Sequence, residues 1–115
     1  LIKVQVVGNI LTRGTGIGRK SYSGTARHLN SDEFQKGDIL IASATEAEDL
    51  EKIVQAGALV VEQGGITSHA AIVAIECGLP AIVGATEAMD RIKDGSLITV
   101  DSSAGTVYEG AVSMV

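Results

Sequence analysis

Apolar positions along the chain fall into short runs broken by glycine. Residues 2–7, IKVQVV, alternate and are rich in β-branched side chains, which predicts a strand almost from the first residue. Residues 10–29 carry two further short strands, one around Gly14 to Gly18 and one around Gly24. The polar stretch 30–38, NSDEFQKGD, is a connection ending in a Gly-Asp turn, and 39–43, ILIAS, is a mostly apolar strand.

From there the period changes. Residues 45–56, TEAEDLEKIVQA, predict a helix: Thr45 is placed as N-cap, Glu48 three residues on completes a capping box, and acids fill the first turn. Leu50, Ile53 and Val54 form its apolar face, and Gly57 stops it. A buried strand follows at 58–63, then Gly64-Gly65. A second helix runs from Ser68 to Cys77 and closes at Gly78 and Pro80. It is apolar nearly all round, which predicts burial on all sides. Residues 80–84 are a strand and 86–95 a short helix leaving through Asp94-Gly95; 96–101 and 106–110 form a hairpin. Alternating strands and helices imply parallel pairing, and hairpins at both ends imply antiparallel pairing. The predicted fold class is a mixed α/β sandwich.

A chain of 115 residues that is 45% apolar makes one domain with a real core, built from aliphatic side chains because aromatics are only 3%. A net charge of −5 and no basic stripe argue against a nucleic-acid partner. No apolar run reaches the roughly 18–20 residues that span a bilayer, which argues against a membrane. The lone Cys77 excludes an internal disulfide; it is expected to be a small buried residue in a reducing, cytoplasmic setting. The chain begins on Leu1, within a predicted strand, so a domain of a longer protein is expected.

Three places are candidates for chemistry. The loop 14–18, GTGIG, lacks the third glycine spacing and the following helix of a dinucleotide loop, so a bulge or hairpin turn is expected. His28 has no ligand-spaced neighbour and is expected to be an exposed loop residue. The third is 64–73, GGITSHAAIV. Gly64 and Gly65 let backbone approach a ligand. The free N–H groups of a helix start favour an anion, with hydroxyls from Thr67 and Ser68 beside them. His69 falls in the first turn, and an imidazole nitrogen is a competent nucleophile toward phosphorus. The residues alone leave two readings open: a phosphoryl-carrying His69, or a Thr67 or Ser68 cap beside a surface histidine. No acid, cysteine or second histidine lies near enough in sequence for a metal site.

The stretch 64–84, GGITSHAAIVAIECGLPAIVG, resembles the phosphohistidine signature of the phosphoenolpyruvate-utilising enzymes, which include pyruvate phosphate dikinase, phosphoenolpyruvate synthase and enzyme I of the sugar phosphotransferase system. The stretch 98–110, with Asp101, Gly105 and Gly110, is similar to that domain's closing hairpin. The resemblance implies a mobile swivelling β/β/α domain, with His69 as phosphoryl carrier and Thr67 contacting the phosphate. Residues 6–24, and GIGRKS within them, look most like the extra C-terminal domain of Bacillus-type bacterial pyruvate kinases. That likeness implies a catalytic barrel domain on the same polypeptide and a homo-oligomeric parent. It also implies Mg²⁺ and K⁺ on that parent, with no cofactor in this domain, and a phosphate or phosphorylated metabolite as ligand. It implies too that the isolated domain does not turn over. The alternatives are a carrier domain of a synthase or dikinase, and a structural or regulatory phosphate-binding module.

Overall fold

The computed structural model describes residues 3–114; Leu1, Ile2 and Val115 lie outside the described residues, so the first residue of the predicted opening strand is not included. Eight strands form one continuous arrangement: β1 (Lys3–Arg13), β2 (Thr15–Ile17), β3 (Ser21–His28), β4 (Ile39–Ala42), β5 (Ala58–Val61), β6 (Ala81–Val83), β7 (Leu97–Asp101) and β8 (Thr106–Met114). Their order is β1-β8-β7-β3-β4-β5-β6-β2. A 3-10 turn, Ala47–Asp49, leads into α1 (Leu50–Ile53); α2 is His69–Cys77 and α3 is Ala88–Arg91.

β3 is the joint between two kinds of sheet. Ser21–Thr25 pair antiparallel with β7, and Ala26–His28 pair parallel with β4. On one side lie the antiparallel strands β7, β8 and β1; on the other, β4, β5 and β6 run parallel and β2 joins antiparallel. The antiparallel pairing expected at both ends is present. At the C-terminal end it is the β7–β8 hairpin. At the N-terminal end it is made across the chain, because β1, β2 and β3 pair with β8, β6 and β7. β1 and β2 are separated only by Gly14, yet they occupy opposite ends of the strand order, so one extended segment ties the two edges together. The GTGIG loop is therefore a strand junction. Gly14 donates its N–H to the Gly105 carbonyl, and a side chain on Gly16 would run into the Ser102 carbonyl.

Period-two alternation sorts the parallel strands into two cores. Leu40, Ala42, Leu59, Val61, Ala81 and Val83 face α1 and α2. Ile39, Ile41, Ala58, Val60 and Ile82 face inward toward Ile98, Val100 and Val107. Strands covered on both faces read as unbroken apolar runs, which is what 39–42, 58–61 and 81–83 are. The layers are sheet, sheet and helices: a β/β/α sandwich.

Three helix expectations need correction. The 45–56 helix is a 3-10 turn plus four α-helical residues; Glu46, not Thr45, is its N-cap, and Asp49, not Glu48, closes the capping box. Its end is drawn into the neighbouring turn, where Gly37 N–H meets the Gln55 carbonyl and Gly57 N–H the Asp38 carbonyl. Only Ile53 of the predicted face is buried. The 86–95 helix shortens to Ala88–Arg91, because Asp94 is taken by the His28 N–H at 2.8 Å and by Arg27 at 3.3 Å. α2 keeps its predicted span but is not wholly buried: it packs through Ala70, Ala71 and Ala74, while Ile72 and Ile75 are 47% and 62% exposed. Cys77, in its last turn, is exposed rather than buried.

Candidate functional site

The carboxyl ends of β4 and β5, parallel neighbours, open onto one crevice, the usual place for ligands in parallel sheets. Ser43 to Thr45 leave β4 there, and Glu62 to Gly65 leave β5. Gln63 joins the two exits: its backbone N–H reaches the Ser43 carbonyl at 2.9 Å, and its side-chain amide reaches Ser43 Oγ at 3.1 Å.

Gly64 turns the chain with φ 94°, a conformation L side chains avoid, and a Cβ there would lie 2.6 Å from Ser68 Cβ. The chain then folds back within four residues. Ser68 N–H and Ser68 Oγ both donate to the Gly65 carbonyl, at 3.0 and 2.7 Å. Ser68 is the N-cap of α2, and its Oγ accepts the Ala71 N–H at 3.3 Å. The first-turn N–H groups of His69 and Ala70 have no intrahelical acceptor. At the other end, Gly78 stops the helix in the left-handed conformation.

His69 is half-buried at the first helical position, and its Nδ1 lies 2.9 Å from Thr45 Oγ1. Thr45, only 9% exposed, reaches it from the β4 exit. Nε2 takes no protein hydrogen bond among those found for the described residues. Thr45, Gln63, Gly64, Ser68 and His69 line an open cavity of about 220 Å³. Of the site residues expected from sequence, Gly64, Ser68 and His69 meet there. Gly65 and Thr67 are exposed and outside the lining; Gly65 serves as the turn carbonyl. Thr45 and Gln63 were not expected at the site. Each leaves the carboxyl end of a strand, and that rule is the signal that could have found them.

Beyond Thr45 the surface is acidic. The Glu48 carboxyl is held above its ordinary value, chiefly by a hydrogen bond with Glu46 and then by the charges of Glu46 and Asp49. Among the described residues no group of three or more His, Cys, Asp or Glu gathers to hold a metal ion, and no helix is long and apolar enough to cross a membrane.

His28, expected in a loop, is instead the last residue of β3 and is half-buried. Its Nε2 lies 2.7 Å from the Ile92 carbonyl, so that nitrogen is committed to structure.

The family model for "PEP-utilising enzyme, mobile domain" matches residues 34–105, which contain every residue of the crevice. The chain belongs to this family. It is 42% identical to a pyruvate kinase of Lactobacillus delbrueckii subsp. bulgaricus, over 98% of this chain and 20% of that protein. It is also 42% identical to a phosphoenolpyruvate synthase of Aeropyrum pernix, over 91% of this chain and 13% of that protein. A solution structure of Enzyme I is similar at a TM-score of 0.58 and 27% identity, over 75% of this chain and 34% of that one. The chain thus spans about a fifth of the length of the pyruvate kinases it matches.

Proposed function

We propose that this mobile domain carries a phosphoryl group on Nε2 of His69. The observation that supports the reading is the division of labour on the imidazole: Nδ1 is held by Thr45, Nε2 has no protein partner among the described residues, and the ring lines a cavity at a helix start whose His69 and Ala70 N–H groups are open. In transfer, the Nε2 lone pair forms the N–P bond as the P–O bond to the donor breaks, its electron pair leaving with the donor oxygen. Nδ1 keeps its proton and donates it in a hydrogen bond to Thr45 Oγ1. The free N–H groups of the first turn and the helix dipole stabilise the phosphoryl oxygens. Gly64 keeps the approach open, and the Ser68 hydroxyl borders the phosphate.

The parent of which this domain is the C-terminal part is a pyruvate kinase, a cytoplasmic, homo-oligomeric enzyme converting phosphoenolpyruvate and ADP to pyruvate and ATP. The pyruvate kinase relatives matched over the full chain support that choice. Its barrel domain would hold Mg²⁺ and K⁺ outside this chain, and the isolated domain would not turn over. To test the carrier reading, the full-length protein is incubated with labelled phosphoenolpyruvate. Acid-labile label is expected on the native protein and none on His69→Ala; an unlabelled native protein during turnover would overturn it.

A second reading, a structural or regulatory anion-binding module, is favoured by His69 having no carboxylate or second imidazole bonded to it among the described residues. Removing residues 1–115 from the parent would then change effector response or thermal stability; unchanged turnover, response and stability would defeat it.

A further inference from the structure

Thr45 decides how the His69 ring is held, so what holds Thr45 matters. The residue after it, Glu46, is extended at φ −134° and ψ 173°. Its N–H is taken by the Asp49 carboxylate at 2.8 Å, and the Asp49 N–H returns to the Glu46 carbonyl at 2.9 Å. Farther along, Lys52 Nζ ties α1 to the Leu29 and Ser31 carbonyls at 2.7 and 3.3 Å, but apolar packing of the segment is thin. The 3-10 turn buries no side chain, and of α1 only Ile53 is buried, with Leu50 and the following Val54 45% and 54% exposed. So short a helix has no stability of its own. Its entry is fixed by the cap.

The Glu46 N–H belongs to the same rigid peptide plane as the Thr45 carbonyl. Holding that N–H therefore restrains the backbone torsion ψ of Thr45, the frame from which its hydroxyl reaches Nδ1. We propose that Asp49 is a positioning residue for His69: through the Glu46 N–H it locks Thr45 Oγ1 onto Nδ1, and so determines which ring nitrogen is left without a protein partner. A hydroxyl both donates and accepts, so the lock survives proton movement on Nδ1. The functional consequence rests on the carrier reading above; the geometry does not.

The chain has only two histidines, so the test is direct. The protein is labelled with ¹⁵N-histidine and its ring-nitrogen shifts are read in mildly alkaline buffer. Native His69 is expected to show two well-separated nitrogens. In Asp49→Ala, as in Thr45→Val, they converge toward the averaged values of a free imidazole. Asp49→Asn, which keeps an acceptor oxygen, restores the separation. His28, bonded to Ile92, stays unchanged throughout and reports that the fold is intact. Native shifts at His69 in Asp49→Ala would overturn the proposal, and so would equal movement of both histidines. If the native protein takes no label from phosphoenolpyruvate while the shifts behave as expected, the carrier reading fails and the positioning role stands.

Discussion

The two histidines sit in opposite situations. His28 ends a strand inside a network: its backbone N–H goes to Asp94, its ring to the Ile92 carbonyl, and its neighbour Arg27 faces Glu33, Asp38 and Asp94 within 3.5 Å. His69 starts a helix and lines a cavity, with one ring nitrogen held by Thr45 and the other without a protein partner among the described residues. The same side chain ties the end of β3 to the segment after α3 in one place and is left with a ring nitrogen unbonded to protein in the other. The difference lies in the loops: a carboxylate-rich turn uses up its donors, whereas the Gly64-Gly65 turn leaves the helix N–H groups open.

The comparison is broken most severely at Gly64. Gly64→Val places a branched side chain at φ 94° and against Ser68, which should cost about 1–3 kcal/mol in denaturant unfolding from the backbone conformation alone, and more from the clash. Labelling at His69 should fall with it, because the cap that orients α2 moves. His28→Ala leaves the Ile92 carbonyl without its partner; a loss of about 1–2 kcal/mol is expected, with labelling of His69 unchanged. Ser68→Ala removes the N-cap and should cost about 1 kcal/mol, read as a lower Tm.

The smallest effect is the pH dependence, which runs in opposite directions in the two regions. The His28 N–H, aided by the Arg27 charge, holds the Asp94 carboxyl below its ordinary value. Asp94 therefore supports the fold above its unfolded value, and that support is lost as pH falls through the lowered one. Glu48, raised by Glu46, contributes stability below its unfolded value and loses it as pH rises through the raised one. Asp94→Asn should flatten the acid limb of a stability–pH curve and Glu48→Gln the limb just above it.

Much of this was legible in the residues. The apolar runs 39–42, 58–61 and 81–83 marked strands covered on both faces, and the Gly-Gly-x-Thr-Ser-His sequence marked both the helix start and the family. What was not legible depends on long-range register. Thr45 looked like a helix cap because acids follow it. Only the parallel pairing of β4 with β5 carries it to α2. Ile72 and Ile75 looked buried because hydropathy gives no azimuth on a helix apolar all round; the small alanines, not the large side chains, meet the sheet. The opening strands looked like a local hairpin because glycines punctuate them, but their partners come from residues 81–83 and beyond.

The central claim is that His69 accepts a phosphoryl group on the nitrogen Thr45 leaves free. The most direct measurement is ³¹P and ¹⁵N NMR of the ¹⁵N-histidine-labelled full-length protein after exposure to phosphoenolpyruvate. The account predicts one phosphorus signal coupled to Nε2 of His69, with Nδ1 and both His28 nitrogens uncoupled. Coupling to Nδ1, phosphorus on His28, or no bound phosphorus in the native protein would contradict it.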